Sequence, residues 1–266
     1  MKKVTDEEIY LIDPEDTELP KVDLHDFVCG YDSGLTPFNM AHLLWLLLPI
    51  VGTIIIVVIW ITYLVEKHAT TKVFFYKDGI YITKQHLAAS EEHHTIYYKD
   101  VHGMAVPRTQ EFSSDTGYNG TTFKVFCLMN DGNYRTIFKG AYDNQKEIED
   151  EYNMKGYVMK TMLRQWYPIA MQRHEEEIRE KGKTTFYCFH TTLFSSNTGE
   201  LTEVEMTPTY IRQGDDTFYF TQSDYAIEDD IMKLNTDDKR NRFRIVTKNM
   251  YDVEVFQTMV NKYLKS

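Results

Sequence analysis

Residues 43–65 contain no charged side chain, and this one run constrains the chain more than anything else in it. The segment reads LLWLLLPIVGTIIIVVIWITYLV, 23 residues from Leu43 to Val65. A helix rises about 1.5 Å per residue, so a run of this length reaches roughly 34 Å and covers a hydrocarbon core of about 30 Å. The reading is a single transmembrane helix. Trp45 near one end, and Trp60 and Tyr63 near the other, serve as its interfacial anchors. A cleavable signal peptide is excluded, because 42 residues precede the run and Asp6, Glu7 and Glu8 follow Lys2 and Lys3 at once.

The flanking charges set the expected orientation. No Lys or Arg lies between Val22 and His42, whereas Lys67, Lys72 and Lys77 follow the run. Basic residues close to a span stay on the cytoplasmic side. The sequence therefore predicts a bacterial, inner-membrane, single-pass protein with its N-terminus outside and residues 66–266 in the cytoplasm. Residues 1–42 form an acidic tail, with ten acidic residues against three lysines. Cys29, Cys127 and Cys188 are too scattered for a disulfide framework.

Beyond the run the pattern turns to strands. Apolar and β-branched residues flank Lys77–Asp78–Gly79 and again Asn130–Asp131–Gly132, each a short-range hairpin signal. Thr95–Tyr98 and Val101–Val106 read as one interrupted strand. From Asp143 to Trp166 the period becomes helical, with Ile148, Tyr152, Met159, Met162 and Trp166 on one stripe. Pro168 is expected to end or restart that helix. Residues 168–182 then read as a polar helical connector, its His174–Glu175–Glu176–Glu177 stretch a solvated face. A second β-rich unit at 183–266 ends in a helix at Tyr251–Leu264. The two units end alike: Arg135, Lys139, Tyr142 and Asp143 recur as Arg244, Lys248, Tyr251 and Asp252 at the same offsets.

Several strands closed by a C-terminal helix is the plan of a pleckstrin-homology-like (PH-like) sandwich. Residues 72–166 resemble the bacterial PH-like domains found beside membrane spans. Three motifs carry the likeness: Lys77–Asp78–Gly79, the run Ile96–Tyr97–Tyr98–Lys99–Asp100–Val101, and Asn130–Asp131–Gly132. The expected fold class is thus a transmembrane helix plus two PH-like β-sandwich units, at 72–167 and 183–266. The resemblance implies binding of head groups, peptides or protein domains. Residues 66–266 hold 26 basic and 30 acidic residues, which argues against attraction to anionic lipid.

The search for chemistry returns little. His93 and His94 are adjacent, and in a strand they point to opposite faces. Glu228–Asp229–Asp230 and Asp237–Asp238 lack the spacing of a calcium loop. Lys239–Arg244 is too short a basic knot for a nucleic-acid face. No nucleophile elbow, phosphate loop or zinc spacing is present. The sequence predicts a non-enzyme without metal or cofactor and without nucleic acid. Its partners would be the bilayer, through 43–65, and an unidentified protein or a second copy. Tyr97, Tyr98 and Arg108 are the candidate contact residues, since Tyr and Arg dominate interface energetics. The alternative function is an immunity protein whose acidic surface masks a toxin at the membrane.

Overall fold

The structure is a computed structural model describing residues 19–32, 70–85, 92–146, 151–189, 201–220, 223–228, 231–236 and 242–264. Two compact units divide between Tyr97 and Tyr98.

The first unit is a four-stranded antiparallel meander: β1 (Phe27–Asp32), β2 (Thr70–Tyr76), β3 (Gly79–Gln85) and β4 (Glu92–Tyr97), in that order. The β2–β3 hairpin forms where the Asp-Gly signal places it, with Phe75 opposite Ile80. Gly79 is needed there for space. A Cβ at Gly79 would stand 2.6 Å from the Ile96 carbonyl oxygen and 2.7 Å from Leu24 Cδ2. Leu24 is buried with Phe74, Tyr76 and Tyr81. Part of the acidic tail is therefore folded onto the sheet. His25 bonds Asp78 through its ring at 2.8 Å and through its backbone N–H at 2.9 Å, and Lys77 reaches Asp26 at 3.0 Å.

The pairing of β1 with β2 overturns the single-pass arrangement. Asp32 and Lys72 are direct partners across the two strands, as are Tyr31 and Val73. Partners in an antiparallel pair lie about 4.5–5.5 Å apart, whereas one crossing would separate these segments by about 30 Å. The chain thus leaves β1 and re-enters β2 on the same side. The opposite-sides topology falls with it: N-terminus outside, C-terminal part cytoplasmic, one transmembrane helix. Among the described residues no helix is long and apolar enough to cross a membrane. Residues 43–65, with Trp45, Trp60 and Tyr63, lie outside the described residues.

The second unit begins at a 3-10 turn, Tyr98–Asp100, which interrupts what the sequence presents as one strand. β5 (Val101–Ala105) and β6 (Arg108–Ser113) pair in succession along one edge of the 13-residue β7 (Gly117–Met129), and β8 (Tyr134–Tyr142) pairs along the other. The β7–β8 turn needs Gly132 for its φ of 82°, and Asp131 accepts the Asn133 N–H within the turn. A second sheet follows the order β12 (Asp216–Tyr219), β11 (Tyr210–Gln213), β10 (Leu201–Met206), β9 (Thr184–Phe189). A third holds β13 (Ser223–Glu228), β14 (Ile231–Thr236) and β15 (Arg242–Val246).

Two helices serve this unit. The long α1 (Glu151–Lys181) continues without a break across Pro168. Pro168 is exposed, and the carbonyl it leaves without a partner is that of exposed Arg164, so water takes the lost bond. Trp166, Ala170 and His174 are buried on both sides of the proline, and that packing outweighs its local cost. The expected end at Pro168 and the expected solvated face at His174 are both corrected. α2 (Val253–Leu264) buries Val255, Phe256, Met259 and Val260; of the apolar positions its sequence period offers, Val253 and Tyr263 are only partly buried. The described fold is thus four antiparallel sheets and two helices. Two sandwiches, each with its own closing helix, are not what forms: β2–β4 belong with β1, while β5–β8 and α1 join β9 to α2.

Candidate functional site

The second unit converges on Asp252. The segment Met250–Asp252 threads between β5 and β9. Tyr251 N–H donates to the Tyr187 carbonyl at 2.9 Å, and Asp252 N–H donates to the Met104 carbonyl at 2.8 Å. Met250 makes an isolated bridge with Cys188. Asp252 adopts φ 55°, a left-handed conformation unusual for a residue with a side chain. That turn starts α2 and aims the carboxylate inward.

The carboxylate collects donors from across the unit. Oδ1 accepts the Met104 N–H at 3.0 Å and Trp166 Nε1–H at 2.6 Å. Oδ2 accepts Arg173 Nη2–H at 2.8 Å and lies 3.4 Å from His174 Nε2. Arg173 also donates to the Val101 carbonyl at 3.2 Å, and its guanidinium sits 5.6 Å from the Trp166 ring centre. Close approach here requires Gly103, because a Cβ would stand 2.9 Å from Tyr251 Cβ. Burial alone would push the Asp252 carboxyl up. The His174 hydrogen bond and the Arg173 charge outweigh it and hold the group below the usual carboxylate range.

The network continues through His174, whose ring stacks on Phe186 with centres 4.1 Å apart. His174 Nδ1 lies 2.7 Å from Thr184 Oγ1, and the Thr184 hydroxyl donates to Glu177. Asp, His and a hydroxyl in line is the order of a nucleophilic relay. Here the hydroxyl proton is committed to a carboxylate, and Thr184 and His174 are each 2 % exposed. No substrate reaches that oxygen, so the chain of groups works as a buried fastener joining α1, β9 and the start of α2.

Beside this fastener lies a pocket of about 210 Å³. Met104, Leu163, Trp166, Met250 and Val255 form its walls, and Arg108, Tyr167 and Glu254 stand at its polar side. Arg108 and Glu254 face each other at 3.8 Å, with side chains 40 % and 55 % exposed. Such an exposed pair is worth well under about 1 kcal/mol, so either partner is easily exchanged. Tyr167 is tied to Thr258 at 3.0 Å.

The three residues singled out from sequence separate. Tyr97 is half-buried in the first unit against the Leu24 cluster. Tyr98 is 3 % exposed and meets Trp166 edge-on at 5.6 Å, a core contact. Arg108 alone of the three lines the pocket. Asp252, Arg173 and Trp166 escaped the sequence search as a set. The single hint was Asp252 at a strand-to-helix junction, matched by Asp143 in the first half. Among the described residues no group of three or more His, Cys, Asp or Glu side chains converges as metal ligands do. His93 is bonded to the Tyr81 hydroxyl at 2.7 Å. Asp229, Asp230, Asp237 and Asp238 lie outside the described residues.

No protein-family model matches the chain, and no curated protein matches it.

Proposed function

We propose that the chain is a binding module for an extended segment of a protein partner, and that the Arg108 pocket is where the segment anchors. The observation that carries this is the size and lining of the pocket. Cofactor and small-molecule sites run about 300–1,000 Å³. A volume of about 210 Å³ suits one inserted side chain, a bulky aliphatic or aromatic anchor. At the mouth, a carboxylate of the partner exchanges for Glu254 on Arg108 and makes a charge-assisted bond.

The backbone supports the same mode. Arg108 is the first residue of β6, and residues 108–112 of that strand are all exposed. Among the described residues β7 is the strand that pairs with β6, which leaves its other edge open to an added strand.

The test is selection of a random peptide library on the full-length protein. Enriched peptides should share a bulky apolar residue with Asp or Glu within one or two positions. Val106 also lines the pocket, and their binding should vanish in Arg108→Glu and in Val106→Trp, which fills the pocket, with circular dichroism showing both variants folded. Enriched peptides that bind these variants as well as wild type would place the site elsewhere.

A further inference from the structure

β6 carries the Arg108 pocket at one end and an exposed aromatic ring at the other. Phe112 is 69 % exposed, more than Tyr134, Tyr219 or Val246, and its ring meets Tyr118 edge-on at 5.9 Å. Side chains alternate along a strand, so Phe112 projects from the same face of the sheet as Arg108, about 13 Å farther along. Met104, Val106 and Arg108 line the pocket, and Phe112 is not among the residues that line it.

The backbone fixes which groups the open edge offers. Lys124 N–H donates to the Pro107 carbonyl at 3.3 Å, and the Thr122 hydroxyl donates to the Thr109 carbonyl at 3.3 Å. Backbone groups alternate sides along a strand, so Pro107, Thr109 and Glu111 are turned toward β7. The N–H and C=O of Arg108 and Gln110 point to the other edge, where no strand pairs among the described residues. Along β5 that same edge is taken, because Asp252 N–H donates to the Met104 carbonyl. The exposed stretch at residues 108–112 is what remains, and Gln110 is its centre.

We propose that a second copy of this chain docks here, β6 pairing antiparallel with β6 about a two-fold axis at Gln110, so that Phe112 of each copy enters the Arg108 pocket of the other. The inference rests on the reading of that pocket as a seat for one bulky side chain. In this register Phe112 of one copy stands directly opposite Arg108 of the other, on the pocket's face of the sheet, with Cβ atoms about 5 Å apart. The contact is self-complementary, as a two-fold interface must be. At the axis the two Gln110 amides exchange a donor and an acceptor. Each Arg108 guanidinium lies against the incoming ring, a cation–π contact. The net charge of −11 opposes self-association at large. The seam escapes that repulsion, because Glu111 stands opposite Thr109 and Arg108 opposite Phe112, and no like charges meet.

The experiment is sedimentation equilibrium of the full-length protein, joined to oxidative cross-linking of cysteine substitutions. Wild type should show a reversible monomer–dimer equilibrium. Phe112→Ala and Val106→Trp should each raise its dissociation constant at least tenfold. Gln110→Pro should abolish the dimer with circular dichroism unchanged, because an edge strand tolerates proline where the N–H faces solvent. Opposed residues of a hydrogen-bonded pair have Cα atoms about 5.5 Å apart, within disulfide range. Gln110→Cys should therefore cross-link to its copy, and Glu111→Cys, whose copies are offset along the strands, should not. A protein that stays monomeric overturns the inference, and peptide selection then judges the pocket on its own. A dimer indifferent to Phe112→Ala or Val106→Trp overturns it as well. So does a dimer that cross-links through Glu111→Cys as readily as through Gln110→Cys.

Discussion

Asp252 shows how much one side chain can hold. Its donors come from Met104 on β5 and from Trp166 and Arg173, two turns apart on α1, at separations of up to 148 residues. Removing the carboxylate leaves the Arg173 guanidinium half-buried without its charge partner. Asp252→Ala should therefore cost about 3–5 kcal/mol of unfolding free energy in a urea titration. Trp166→Phe keeps most of the ring packing and deletes only the Nε1–H donor. A loss of about 1.5–3 kcal/mol is expected, since the acceptor is ionised. The same carboxylate sets a pH dependence. Its folded value is held below the usual range, as is that of Glu177, where burial is outweighed by the Thr184 hydrogen bond and neighbouring cations. A depressed carboxyl contributes stability that is fully present above its unfolded value, about 3.9 for Asp, and that is lost as pH falls through the folded value. The urea midpoint should drop steeply below pH 4, and Asp252→Asn should flatten that drop. An equally steep fall in the variant would assign the dependence to other carboxyls.

Local chemistry made some elements legible and nonlocal packing hid the others. The hairpins at Lys77–Asp78–Gly79 and Asn130–Asp131–Gly132 are decided within a few residues, and the sequence displays them. The α2 stripe is equally plain. The β1–β2 pairing is not, because Phe27–Asp32 finds its partner only after a long intervening stretch, and nothing in FVCGYD names Thr70–Tyr76. The path of α1 through Pro168 is hidden for a related reason. The local cost of a proline is visible in sequence, while the burial of Trp166, Ala170 and His174 that outweighs it is a tertiary fact. Pro168→Ala should then stabilise the protein, by up to about 3 kcal/mol, because a continuous helix regains a hydrogen bond. A neutral or destabilising result would mean the helix ends there. Cys29 carries the test of β1. It is fully buried and its thiol is pushed up to about 12 by that burial, while Cys127 and Cys188 are buried as well. Ellman's reagent should find no reactive thiol in the native protein and all three after denaturation. A native Cys29 that reacts at once would detach β1 from its sheet.

For the whole molecule, the sequence analysis expects recognition on the charge balance and the missing catalytic motifs. The geometry adds what they could not, a pocket sized for one side chain beside an exchangeable ion pair. Arg108 is singled out in sequence because arginine is a common interface anchor, and its binding role is the one proposed above. The pocket itself is not legible there, since its walls come from β5, α1 and α2, segments far apart in the chain. The most direct measurement is a charge swap between Arg108 and a selected peptide, read by titration calorimetry. Arg108→Glu should weaken the acidic peptide at least tenfold, and changing the peptide's acid to Lys should restore binding to that variant while weakening it to wild type. Affinities that ignore both changes would contradict the account.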